Sequence, residues 1–207
     1  MKDMIPALHG TAVYNPALLS KEELLQDFIA RQEILEELVE DCRRNPENSP
    51  PQHHLIIGLR GMGKTTLLHR LRYAIEDDET LSEQYLPLIF PEEQYNIAHI
   101  SDLWLNCLDA LSDMLEQRQQ GELTDKLDDK IDLLLEQPRE QKAQSALELL
   151  LELAEQLDHR FVLLLDNFDM ILDRLTEEQQ WLFRRLLSEE SKILLIGASS
   201  QMLEATY

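Results

Sequence analysis

Eight consecutive residues, Gly58-Leu59-Arg60-Gly61-Met62-Gly63-Lys64-Thr65, fit the pattern G-x-x-x-x-G-K-[ST] in full. The pattern describes a turn whose backbone N–H groups converge on an anion, an approach that only glycine permits so closely. Its flanks decide whether such a turn is built. His54-Leu55-Ile56-Ile57 is a short apolar run leading into Gly58, and it predicts a buried parallel strand. On the other side Leu67, Leu68, Leu71, Ala74 and Ile75 recur at helical spacing. Strand, phosphate loop and helix in this order direct the positive end of the helix dipole at the bound anion. An ordinary glycine-rich turn with a surface lysine needs neither flank.

The loop assigns its own chemistry. Lys64 reaches the β- and γ-phosphates of a nucleotide as a point charge, and the Thr65 hydroxyl is a ligand for Mg²⁺. Gly58, Arg60, Gly61, Met62, Gly63 and Thr66 complete the predicted cradle. A second half of the site follows from Leu163-Leu164-Leu165-Asp166-Asn167-Phe168-Asp169, an apolar run ending in a carboxylate. In nucleotide sites of this kind such an aspartate holds Mg²⁺ through water or through the loop threonine, which gives Asp166 a metal role. Hydrolysis needs, in addition, a group to orient or deprotonate water and charge stabilisation at the γ-phosphoryl group. Asn167 can orient a water but cannot take its proton. Asp169, three residues beyond Asp166, is either a base brought round by the turn or a solvated residue at a helix start. The catalytic candidates are therefore Lys64, Asn167 and Asp169.

Charge and composition exclude several classes. Among 207 residues, 40 Asp and Glu face 19 Lys and Arg, for a formal net charge of −21. A surface of that sign repels phosphate backbones, so direct nucleic-acid binding by this segment is not expected; solubility is the plain consequence. Cys42 and Cys107 lie far apart in helical patterns, without metal or redox spacing, and the six histidines form no metal-binding set. The opening Met1-Lys2-Asp3-Met4-Ile5-Pro6 lacks the apolar run of a signal peptide, and no stretch of about 18 apolar residues is present to span a membrane. A cytoplasmic, reduced protein is expected.

Along the chain, residues 1–19 read as an extended arm, and Ser20-Lys21-Glu22-Glu23 is a capping box opening a short helix through about Asp27. A helix is predicted over Arg31 to Arg43, then a turn-rich linker, Asn45-Pro46-Glu47-Asn48-Ser49-Pro50-Pro51. Residues 1–50 thus form an arm and helical lead-in, and 51–207 a core. Within the core Leu86–Phe90 is a strand whose Pro87 places it at an edge. Three amphipathic helices follow, over Ser101–Glu116, Thr124–Gln137 and Arg139–Leu157, before a strand at Phe161–Leu165. A capped helix from Thr176 to Ser188 and a last buried strand at Lys192–Gly197 complete the pattern. Strands alternating with helices predict an α/β fold, a parallel sheet of about four strands flanked by helices, with extra helices between the second and third strands. In such sheets ligands bind at the carboxyl ends of the strands, where the loop lies.

With these motifs in hand the chain resembles the P-loop ATPases of the AAA+ class, and particularly their origin-recognition-like and STAND-type regulatory branch. Phe28-Ile29-Ala30-Arg31-Gln32-Glu33 resembles that branch's F-V-G-R-E opening motif, Gly58–Thr65 its Walker A and Leu163–Asp169 its Walker B. The resemblance, over roughly residues 20–200, implies ATP and Mg²⁺ as cofactors. It implies further that Phe28 and Ile29 flank the adenine while the Arg31 helix packs on the core. Ile193–Ser200 resembles the strand that delivers a polar sensor near the γ-phosphate, where this chain offers Ser199 and Ser200. The family continues with a fifth strand, an arginine finger and a helical lid, whereas this sequence stops at Tyr207. It is therefore expected to lack the C-terminal part and lid, with Arg184 and Arg185 the nearest cationic stabilisers and an open sheet edge left for another chain.

Three functions remain open at this level. One is a regulatory, weakly hydrolysing ATP module that self-associates or engages a partner protein. Another is an ATP-dependent DNA-handling regulator of initiator or transposition type, for which a basic stripe is missing. The third is a non-hydrolysing interaction scaffold, which Asn167 favours. A small-molecule kinase would need an acceptor-site lid that the pattern does not show.

Overall fold

The computed structural model describes residues 20–27, 31–45, 49–90 and 97–201. Phe28, Ile29 and the arm at 1–19 lie outside the described residues. Among the described residues the order is α1 (Lys21–Asp27), α2 (Gln32–Arg44), β1 (His54–Ile57), α3 (Lys64–Asp77), α4 (Glu79–Gln84) and β2 (Tyr85–Ile89). It continues with α5 (Ile100–Gln117), α6 (Gly121–Leu135), α7 (Arg139–Gln156), β3 (Arg160–Leu165), α8 (Phe168–Leu172), α9 (Glu177–Glu189) and β4 (Ile193–Ser199). The four strands form one parallel sheet in the order β1-β4-β3-β2.

The two central strands explain their own sequence. Every residue of β3 and β4 is buried, because both faces of the sheet are covered. On one face Phe161, Leu163, Leu165, Ile193 and Leu195 meet the helices α5 to α9. On the other, Val162, Leu164, Leu194, Ile196 and Ala198 meet α2, α3 and α4. A strand buried on both sides cannot alternate polar with apolar residues, hence the unbroken runs. Among the described residues β2 pairs with β3 alone, so Pro87 sits on an edge strand where its missing N–H breaks no second ladder.

The first strand corrects the expectation. β1 pairs with β4 on one side, and Ile56 is buried while Leu55 and Ile57 remain 36% and 48% exposed. Among the described residues it is an edge strand with one uncovered apolar face, not a buried one; three apolar residues in a row after His54 carry no period by which to tell the two apart.

Local devices hold the frame around the site. The Ser20 capping box forms as read, with Glu23 N–H donating to Ser20 Oγ at 3.3 Å and Ser20 N–H to Glu23 Oε2 at 3.0 Å. Lys21 and Arg43 pair with Asp77 and Asp78 at 2.5 and 2.6 Å, fastening both lead-in helices to the far end of α3. Tyr85 donates its hydroxyl to Cys42 O at 2.9 Å, tying the end of α2 to the start of β2. The short helix α4 has no counterpart in the sequence reading, and α8 has only the helix start that one alternative placed at Asp169.

Candidate nucleotide site

The loop between β1 and α3 takes its shape from two glycines in the left-handed region, Gly61 at φ 81° and Gly63 at φ 75°. A side chain at either is strained whatever the space around it. Gly58 differs: it has no positive φ, and a Cβ placed there would lie 3.5 Å from Met62 Sδ and 3.6 Å from an Arg31 guanidinium nitrogen, at ordinary contact. Arg60, Met62 and Gly63 are exposed along the loop, and Thr66 is half-buried in the first turn of α3. Lys64 is buried and donates to Gly58 O at 2.7 Å and Leu59 O at 3.2 Å, so its ammonium lies inside the loop, held by its own backbone.

Register brings the second half of the site to the first. β3 ends beside β4, and β4 lies beside β1, so Asp166 emerges next to α3. Thr65 donates its hydroxyl to Asp166 Oδ2, and Asn167 N–H donates to Oδ1 at 2.8 Å. Both carboxylate oxygens are thereby fixed. Because Thr65 gives its proton to Asp166, its oxygen keeps lone pairs for a cation. Two hard oxygen donors side by side suit Mg²⁺, which prefers carboxylate and hydroxyl oxygen to nitrogen or sulfur.

Asn167 stands at φ 48°, a left-handed position that asparagine tolerates better than most residues, and its side chain is exposed beside Asp166. Asp169 is 3% exposed and accepts the Ser200 hydroxyl on Oδ2 at 2.8 Å. It is not the solvated residue that one sequence alternative described. Ser199 is buried at the end of β4; its hydroxyl donates to Gln201 O at 2.5 Å and accepts Gln201 N–H at 3.1 Å. Its carbonyl accepts Gly58 N–H at 3.2 Å, joining the loop to β4.

Two residues near this set were not assigned to it from the sequence. Arg31 starts α2 from φ 68°, beside Gly58, a strained backbone position of the kind found near functional sites. Its signal was present in the Phe28–Glu33 motif, read there only as helix packing. His69 follows Thr65 by one helical turn; burial and then Arg72 hold its imidazole below the ordinary range, while Asp166 pulls the other way. An open groove of about 630 Å³ lined by Gln120, Glu122, Lys126, Lys130 and Gln156 shares no residue with this site.

A parallel sheet carrying this loop at the carboxyl end of β1, with Asp166 at that of β3, defines a P-loop nucleotide-binding fold. Residues 27–196 match the family described as AAA ATPase domain, and the chain belongs to that family. The ORC2 protein of Aeropyrum pernix, solved as ADPNP–ADP complexes, is similar over 92% of this chain and 45% of its own length, with 16% identity and a TM-score of 0.59. Cdc6p from Pyrobaculum aerophilum is similar over 92% of this chain and 42% of its own, with 19% identity and a TM-score of 0.54. This chain thus spans less than half the length of these relatives, and the likeness is one of fold. No curated protein sequence matches it. Among the described residues no helix is long and apolar enough to cross a membrane.

Proposed function

We propose that the chain is an ATP–Mg²⁺-binding regulatory module that works as a nucleotide-dependent switch or assembly unit. The observation that carries this reading is the Thr65–Asp166 hydrogen bond, which joins the phosphate loop to the end of β3 at a pair of oxygen donors. In it the backbone amides of the loop and Lys64 hold the phosphates, and Thr65 with Asp166 would hold Mg²⁺. When bound, the metal neutralises charge on the phosphates. Arg31 adds a positive charge beside Gly58. The resemblance assigns the adenine to Phe28 and Ile29, and Ser199 acts through its backbone rather than through its occupied hydroxyl.

Hydrolysis is slow in this account. Asn167, exposed beside Asp166, orients water without accepting its proton, and the burial of Asp169 favours a supporting part over that of base. Assembly with a second copy or a partner protein is supported by β1, whose outer edge has no partner strand among the described residues and whose Leu55 and Ile57 are exposed. The scaffold reading is favoured by one observation, the carboxamide at Asn167.

Phosphate release separates the two. The switch predicts slow release from ATP with Mg²⁺, falling by about 100-fold or more in Asp166→Ala, in line with the loss of a metal-holding group. Nucleotide binding without any release supports the scaffold. Release undiminished in Asp166→Ala contradicts the metal role of that residue.

A further inference from the structure

Outside the phosphate loop, the most exposed large apolar side chains among the described residues are Leu133 at 65% and Trp181 at 59%. They lie on α6 and α9, neither of which carries a residue of the candidate site. On α9, Trp181, Arg184, Arg185 and Ser188 share one helix face and, with Glu189, line an open groove of about 580 Å³. The Arg185 guanidinium lies 5.7 Å from the centre of the Trp181 ring, and its Nε–H donates to Glu189 Oε1 at 3.0 Å. On α6, the exposed Asp125, Asp129 and Asp132 share a face with Leu133, and the exposed Glu136 stands at the C-cap. Among the described residues none of these four carboxylates is in an ion pair; the pair on α6 is Lys126–Glu122. We propose that the Trp181–Arg184–Arg185 face of α9 docks on the acidic Leu133 face of α6 in a second copy of the chain. The contact is independent of the nucleotide reading and uses a surface other than the β1 edge.

Charge selects this pairing. With 40 acidic against 19 basic residues, most contacts between two copies bring like charges together and are unfavourable. A contact that sets two arginines on three or four unpaired carboxylates has the opposite sign. The apolar residues match as well. Each helix has already spent its other side, since Leu127, Ile131 and Leu134 of α6 and Phe183 and Leu187 of α9 lie in the chain's own core. Trp181 and Leu133 are therefore left for a surface outside the chain, where an indole is a large apolar contact. Tryptophan and arginine are also the side chains that most often carry the binding energy of an interface. Arg185 is oriented beforehand by the indole and by Glu189, and its two outer nitrogens remain for a carboxylate of the second copy. Each copy holds one face of each kind, so two copies can dock reciprocally, and unreciprocated contacts extend to larger species.

Sedimentation velocity of the chain without nucleotide tests the contact, over about 5–200 μM protein and at about 0.05 and 0.5 M salt. The mean mass of the wild type should rise with concentration at low salt and fall back toward the monomer at high salt. Two charge-reversed proteins are compared with it, one carrying Arg184→Glu and Arg185→Glu, the other Asp129→Arg and Asp132→Arg. Each alone sets like charge on like and should stay monomeric. Their equimolar mixture should associate again, because an unaltered α9 then meets an unaltered α6 and the two reversed faces also match. Trp181→Ala should weaken association of the wild-type sequence by about tenfold or more. All five positions are exposed, so the variants should keep the wild-type melting transition. A wild type that stays monomeric throughout overturns the proposal. So does association that persists in either charge-reversed protein, a mixture of the two that stays monomeric, or Trp181→Ala that associates as tightly as wild type.

Discussion

At the scale of single residues the loop depends on the sign of two backbone angles. Gly61 and Gly63 sit at positive φ, where an L side chain is strained, while Gly58 does not and has room for a methyl group. The three loop glycines are therefore unequal. Gly63→Ala is expected to cost about 1–2 kcal/mol of folding stability or to force the loop open, whereas Gly58→Ala should change stability by less than about 0.5 kcal/mol. Urea unfolding of the two variants beside the wild type measures this, and equal losses would contradict the assigned backbone. That the loop and Asp166 belong together was legible from two motifs, and the structure brings Thr65 and Asp166 into contact. Arg31 and Asn167 were less legible. Both adopt positive φ, and nothing in the spacing of apolar residues reports the handedness of a residue between two elements. Asp169 shows the same limit, since its distance from Asp166 along the chain left open whether its carboxylate faced solvent or the interior.

Among elements, the sheet was readable where burial was complete. The apolar runs at β3 and β4, read as strands covered on both faces, are buried throughout, and Pro87 marked the β2 edge. Elements of five or six residues complete less than two turns and show no period, so α4 was missed and α8 was legible only as a possible helix start at Asp169. The join between elements also carries a pH dependence. His53, just before β1, accepts Leu195 N–H on Nδ1 at 3.0 Å and places Nε2 2.7 Å from Leu187 O, clipping β4 to the end of α9. That arrangement needs the neutral ring, and burial chiefly holds its pKa below the ordinary value of 6.5. The unfolded chain binds the proton at a higher pH than the folded one, so stability falls as pH drops through and below about 6.5. The loss stops once the pH lies below the folded-state pKa. For one imidazole the slope cannot exceed about 1.4 kcal/mol per pH unit. Urea midpoints between pH 7.5 and 5.5 should show this component in the wild type and lose it in His53→Asn; an unchanged pH profile in the variant would remove His53 as its source.

For the molecule as a whole, a net charge of −21 coexists with a site proposed to hold a polyanion. The conflict is resolved by distance and orientation. Exposed charges farther away than a screening length of about 8–10 Å at physiological salt are largely screened, whereas Lys64, Arg31 and the start of α3 lie at the loop itself. The helices α5, α6 and α7 between β2 and β3 enlarge one face of the sheet, and none of them carries a residue of the candidate site. What these parts together require first is that the loop hold a nucleotide. Titration of a fluorescent ATP analogue with Mg²⁺ into the wild-type chain and Lys64→Ala tests this most directly. Removing one charge-assisted phosphate contact should weaken binding by about 10- to 100-fold. Equal binding by the two proteins, or none by either, would contradict the account.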